Sequence, residues 1–126
     1  MPWPVSGIII NTYGKQKHKV INGVETINNG IDILTNKGTK VRSVFTGKVA
    51  AIIVLPGGKK AVLIQHGEFF TMYSNLAKVL VNKGDEVNTQ EDIATILTDE
   101  NGKTELHFEI WQGNQKQNPS FWIARK

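Results

Sequence analysis

Glu105-Leu106-His107-Phe108-Glu109-Ile110-Trp111 alternates apolar and polar residues without a break. Successive side chains of a strand point to opposite faces. The stretch therefore puts Leu106, Phe108 and Ile110 on one face and Glu105, His107, Glu109 and Trp111 on the other. Working outward, Val41–Val54 is rich in β-branched and small apolar residues and is interrupted by Gly47. Ala61–Gln65 is a short apolar run between Pro56-Gly57-Gly58 and His66-Gly67. Turn pairs recur along the chain at Asn22-Gly23, Asn29-Gly30, Lys37-Gly38, Gly57-Gly58, Lys83-Gly84, Asn101-Gly102 and Gly113-Asn114. Such punctuation predicts many short antiparallel strands, an all-β sandwich or barrel. A helical period is absent apart from a single turn expected near Leu76–Val79 or Pro119–Trp122.

A short repeat is embedded in this pattern. Asn36-Lys37-Gly38-Thr39-Lys40-Val41 returns as Asn82-Lys83-Gly84-Asp85-Glu86-Val87, each copy a glycine turn feeding a strand. The first copy continues through Thr46-Gly47-Lys48-Val49, the second to Asp92-Ile93-Ala94-Thr95-Ile96. The pattern resembles the hybrid motif of biotinyl/lipoyl domains. Its duplicated form is shared by glucose-type IIA proteins and lysostaphin-type peptidases.

Bulk properties bound the function. The chain has 126 residues, enough for one ordinary domain, and we expect a single domain over 1–126. No cysteine is present, which excludes disulfides, thiol catalysis and cysteine-based zinc sites. The net charge of +4 comes from scattered basic residues. They lack the interleaved aromatics of a nucleic-acid groove, so no nucleic-acid partner is expected. No apolar run approaches the ~20 residues of a membrane span. Met1-Pro2-Trp3-Pro4 lacks a signal-peptide pattern. It looks like an internal boundary, and we expect the chain to be the C-terminal part of a longer, exported protein.

Read in order, the segments resemble the lysostaphin-type (LytM) peptidase family over essentially the whole chain. Trp3-Pro4-Val5-Ser6-Gly7 with Tyr13-Gly14 resembles its opening. Asn28-Asn29-Gly30-Ile31-Asp32-Ile33 resembles its His-x-Gly-x-Asp-Ile segment. Gly38-Thr39-Lys40-Val41 and Thr46-Gly47-Lys48-Val49 match its Gly-Thr-x-Val and Gly-x-Val strands. His66-Gly67 through Thr71-Met72-Tyr73-Ser74-Asn75-Leu76 resembles its His-Gly … Thr-x-Tyr-x-His-Leu segment. Glu105-Leu106-His107-Phe108-Glu109-Ile110 resembles its His-x-His-Phe-Glu-Ile strand, and Asn118-Pro119 with Trp122-Ile123 its ending.

The resemblance implies a zinc site of His, Asp and His ligands with two further catalytic histidines. Such a site works by lowering the pKa of a bound water toward ~7. Carried over by position, Asp32 and His107 stand at two ligand positions and are retained. Asn28 stands where the first His ligand belongs. Asn75 and Glu105 stand where the catalytic histidines belong. An amide is a weak ligand and cannot exchange a proton near neutrality, and a Glu105 anion would repel a developing oxyanion. The implied reading is a degenerate domain with no catalytic residue, no metal and no cofactor, in which Asp32 and His107 are remnants hydrogen-bonded to each other or to solvent. His66 is read as structural and Lys59-Lys60 as a solvated hairpin tip.

A non-catalytic branch of this family is typified by the EnvC-type and NlpD-type murein-hydrolase activators. The resemblance therefore implies a partner, a cell-wall N-acetylmuramoyl-L-alanine amidase. It also implies a periplasmic or cell-envelope location and an upstream coiled coil linking the domain to the division machinery. The binding groove would comprise Asn28, Asn29, Asp32, Tyr73, Asn75, Glu105, His107 and Trp111. Two other readings stay open: a weak residual zinc endopeptidase acting on peptidoglycan, and a non-activating module that binds peptidoglycan or an envelope protein.

Overall fold

The structure is a computed structural model that describes residues 3–11, 14–17, 25–28, 30–112 and 115–117. In chain order its strands are β1 (Ile8–Asn11), β2 (Gly14–Lys17), β3 (Glu25–Asn28), β4 (Ile31–Thr35), β5 (Lys40–Arg42) and β6 (Gly47–Val54). They continue with β7 (Lys60–His66), β8 (Phe69–Val79), β9 (Glu86–Val87), β10 (Asp92–Ile96), β11 (Thr104–Gln112) and β12 (Gln115–Gln117). Every recorded pairing is antiparallel. The main path runs β1-β4-β11-β8-β7-β6-β9, with β5 and β10 joined through β8, and β12 on β11. Strands β2 and β3 form a separate two-stranded sheet. The all-β expectation holds. Leu76–Val79, expected as a helical turn, is instead the end of β8; Pro119–Trp122 lies outside the described residues.

Strand β11 behaves as its alternation predicts. Leu106, Phe108 and Ile110 are fully buried, packed with Ile31 and Ile33 of β4, Ile64 of β7, and Tyr73 and Leu76 of β8. Burying each such side chain contributes roughly 1.5–3 kcal/mol, so the core face of β11 fixes its register against both neighbours.

The repeat is expressed in an unexpected way. Gly38 (φ 86°) and Gly84 (φ 92°) both adopt the left-handed conformation that the turn requires. Each turn closes alike, by Thr39 N–H to Asn36 O (3.2 Å) and Asp85 N–H to Asn82 O (3.0 Å). Val41 and Val87 then enter the core. Yet the copies exchange partners. β5, from the first copy, pairs with β10, which follows the second. β9, from the second, pairs with β6, which follows the first.

Strand β8 is the longest in the sheet and changes neighbours at one residue. Its first part pairs with β11 from Phe69 to Ser74. Its last part pairs with β10 from Leu76 to Val79. Between them Asn75 has φ 69°, a left-handed conformation that asparagine tolerates better than most residues. Its side-chain amide donates to Glu105 O (2.6 Å) and its carbonyl accepts from Leu97 N–H (2.9 Å). The kink also shifts the inward phase: Thr71 and Tyr73 are buried before it, Leu76 after it.

Gly30 begins the turn into β4, where a Cβ would collide with the Phe108 carbonyl oxygen and the Glu109 Cγ. Backbone of β11 cannot yield without disturbing its two neighbours. Gly30→Ala is therefore expected to destabilise the fold by about 3 kcal/mol. Gly57→Ala, in open space at φ 84°, should cost only about 1–2 kcal/mol. Denaturant midpoints of the two variants check the difference.

Candidate functional site

The open face of β11 carries a hydrogen-bonded chain of side chains. Asp32 of β4 lies directly opposite His107 in the register, and Ser74 of β8 lies opposite it on the other side. His107 Nδ1–H donates to Asp32 Oδ1 (2.6 Å), and Nε2–H donates to Glu109 Oε2 (2.8 Å). Glu109 is buried, 6% exposed, and its second oxygen accepts the Trp111 indole N–H at 2.8 Å. With a carboxylate oxygen facing each ring nitrogen, the arrangement favours the doubly protonated ring. Burial opposes that charge. The hydrogen bonds and charges of Asp32 and Glu109 outweigh it and push the His107 pKa up to about 9.

Around this chain lies a cleft of about 270 Å³ lined, among the described residues, by Asp32, Leu55, Lys59, Ser74, Asn75, Glu105 and His107. Glu105 pairs with Lys103 Nζ at 3.7 Å, and its Oε2 is sequestered from solvent with no hydrogen-bond donor. Asn75 holds the Glu105 carbonyl, so the kink in β8 also fixes the start of β11. Leu55 and Lys59 come from the tight β6–β7 hairpin, where Leu55 N–H donates to Lys59 O (2.7 Å). That hairpin forms one wall of the cleft.

Of the residues expected to line a groove, Asp32, Asn75, Glu105 and His107 come together here. Trp111 shares their strand face but borders an adjoining apolar hollow with Leu63, Phe70 and Met72. Tyr73 must be corrected: it is fully buried in the core, its hydroxyl accepting from Val44 N–H (3.1 Å) and lying 2.9 Å from Thr71 Oγ1. The reason is the phase shift at Asn75, which lets Tyr73 point inward while Asn75 turns toward β11. Asn28 ends β3 with its backbone paired to Gly14, but its side chain lies outside the described residues, as does Asn29.

Sequence reasoning missed Glu109, although the alternation that put His107 and Trp111 on one face put Glu109 between them. Lys59, expected as a merely solvated tip, is exposed and also lines the cleft. His66 is structural. Its Nδ1–H donates to Thr46 O (2.9 Å) and its Nε2 lies 2.7 Å from Thr71 Oγ1. Burial pulls its pKa down, only partly offset by the Thr46 hydrogen bond, so the ring is neutral.

The zinc ion implied by the family resemblance needs donors that converge on one point. The two nitrogens of an imidazole point away from each other, and here each faces a different carboxylate. Asp32 Oδ1 and His107 Nδ1 lie side by side, and Glu109 on Nε2 takes the place of an outer carboxylate that orients the ring. Among the described residues no three His, Cys, Asp or Glu side chains form a metal-holding group. Among the described residues the ligand positions thus supply two such donors, one short of the three that a catalytic zinc site takes from the protein.

An antiparallel sheet with a histidine–carboxylate cluster on its open face is the layout of a lysostaphin-type domain. The model of Peptidase family M23 matches residues 26–119, and the chain belongs to that family. Similar proteins include the murein hydrolase activators EnvC and NlpD of Escherichia coli (strain K12). Each is 29% identical over 98% of this chain, and the match spans 29% of EnvC and 31% of NlpD. The chain thus spans less than a third of those relatives. Among solved structures, a zinc-containing peptidase from Vibrio cholerae is 32% identical with a TM-score of 0.76, covering 92% of this chain and 37% of that one.

The two histidines shape the pH dependence in opposite senses. The raised His107 contributes stability that is complete below its unfolded value of 6.5 and is lost as the pH rises toward about 9. The lowered His66 contributes stability that is present above 6.5 and is lost as the pH falls below it. Metal-free protein is therefore expected to be most stable near pH 6.5. His107→Gln should flatten the alkaline side. Urea unfolding between pH 5 and about 9.5 checks this; stability that climbs from neutral to alkaline pH would contradict it.

Proposed function

We propose that this chain is a non-catalytic M23-family domain that binds a cell-wall N-acetylmuramoyl-L-alanine amidase and activates it during cell separation. The observation that carries the reading is the donor set, in which Asp32 and His107 alone keep good zinc-binding groups at the family's ligand positions. Asn28, Asn75 and Glu105 replace the other three histidines of the family pattern. Support comes also from similarity, over 98% of this chain, to proteins named as murein hydrolase activators. The proposed setting is the periplasm or cell envelope.

The mechanism is groove binding. A segment of the amidase occupies the cleft over Asp32, Asn75, Glu105 and His107 and reaches Trp111; Asn28 and Asn29 belong to the proposed groove by the family pattern alone. A binder shifts its partner only through differential affinity, so the domain must hold the open amidase more tightly than the self-blocked one. A preference of about 3 kcal/mol would raise the open fraction roughly a hundredfold while that fraction is small.

Adding the chain to a purified amidase is expected to raise release of soluble wall fragments, with Trp111→Ala lowering the effect about tenfold or more while the fold persists. An amidase indifferent to the chain would sink the reading. Stoichiometric zinc together with cleavage of peptidoglycan by the chain alone would replace it with a residual endopeptidase.

A further inference from the structure

Beside the cleft, the same sheet face carries a second concavity. Leu63 of β7, Phe70 and Met72 of β8 and Trp111 of β11 line an apolar hollow of about 300 Å³. The register sets Leu63 opposite Met72, and Trp111 opposite Phe70. All four remain partly exposed. Covering such a surface is favoured at roughly 25 cal/mol per Å², and aromatic residues in concave surfaces are frequent binding anchors.

The hollow is also pre-shaped. Its Trp111 wall is tethered through the indole N–H to Glu109, which in turn is tied to His107 and, through it, to Asp32. A ring held in place loses little freedom when a partner covers it. The side chains at two former ligand positions thus act as a strut for an apolar surface.

Hollow and cleft adjoin. Met72 and Glu109 are two residues from Ser74 and His107, or about 7 Å along the strands. Three carboxylates, Asp32, Glu105 and Glu109, stand at the cleft against Lys59 and His107. With Lys103 counted the charges are near balance, and the group short of a donor is Glu105 Oε2. Lys103 is about half exposed, and its contact with Glu105 at 3.7 Å is beyond hydrogen-bond reach. A donor that displaces it would satisfy the sequestered Glu105 Oε2.

We propose that this sheet face is a two-part site for a polypeptide segment that inserts an apolar side chain between Phe70 and Trp111 and sets a lysine or arginine against Glu105. The inference deepens the activator reading by giving the chemistry of the partner segment, and it rests on that reading only for the partner's identity.

The test selects a displayed library of short random peptides on the immobilised chain. Enriched peptides are expected to combine an apolar residue with a lysine or arginine a few positions away. The strongest, resynthesised, should bind Phe70→Ser and Glu105→Gln about tenfold more weakly than wild type. If Phe70→Ser does not fold, Met72→Gln, which keeps the side chain's length, reads the same contact. No enrichment, acidic or purely polar binders, or variants that bind like wild type would overturn the proposal. Activation of the amidase that ignores both Phe70 and Glu105 would likewise remove the site while leaving the partner. Peptides that bind as expected beside an unresponsive amidase would remove the partner and leave the site.

Discussion

Strand β8 has to serve two neighbours along one edge, β11 first and β10 after it. A regular strand cannot do this while keeping its core residues inward, because each change of partner brings a change of register. The left-handed backbone at Asn75 solves the problem. It moves the inward phase by one residue, so that Tyr73 and Leu76 both reach the core. It also turns the Asn75 amide to the carbonyl of Glu105, joining the kink to the strand that carries the site. The core, the start of β11 and the mouth of the cleft all hang on this one conformation.

The cleft that results is rich in titratable groups, most of them partnered and one oxygen, Glu105 Oε2, without a donor. Asp32 and Glu109 hold His107, Lys103 approaches Glu105, and Trp111 hangs on Glu109. A surface for recognition needs groups fixed in place, and a mutually satisfied chain of side chains supplies that. Belonging to a peptidase family fixes the scaffold of this chain, and its chemistry is set by the residues at the site.

The fold was legible where periodicity is simple. The alternation of Glu105–Trp111 assigned the faces of β11 correctly, and both copies of the glycine turn were visible as sequence. The meeting of Asp32 with His107 was legible only through family resemblance, since the two lie 75 residues apart. Tyr73 was misplaced because no local signal announces a phase shift at an asparagine in mid-strand. Glu109 was overlooked for a different reason. A carboxylate on a solvent-facing strand position is unremarkable until the fold brings Trp111 and His107 to it. The exchange of strands between the two repeats could not be read at all, because a repeat tells which segments are alike and not which of them pair.

That exchange carries a consequence for assembly. Because β5 needs β10 and β9 needs β6, neither repeat closes its own hydrogen-bond ladders. A lone half would leave edges open, and the natural way to cover them is a second half turned about a two-fold axis. Each half of the chain therefore supplies the strand that completes the other's ladder. The chain's ordering must then be concerted, with both halves condensing together from distant parts of the sequence.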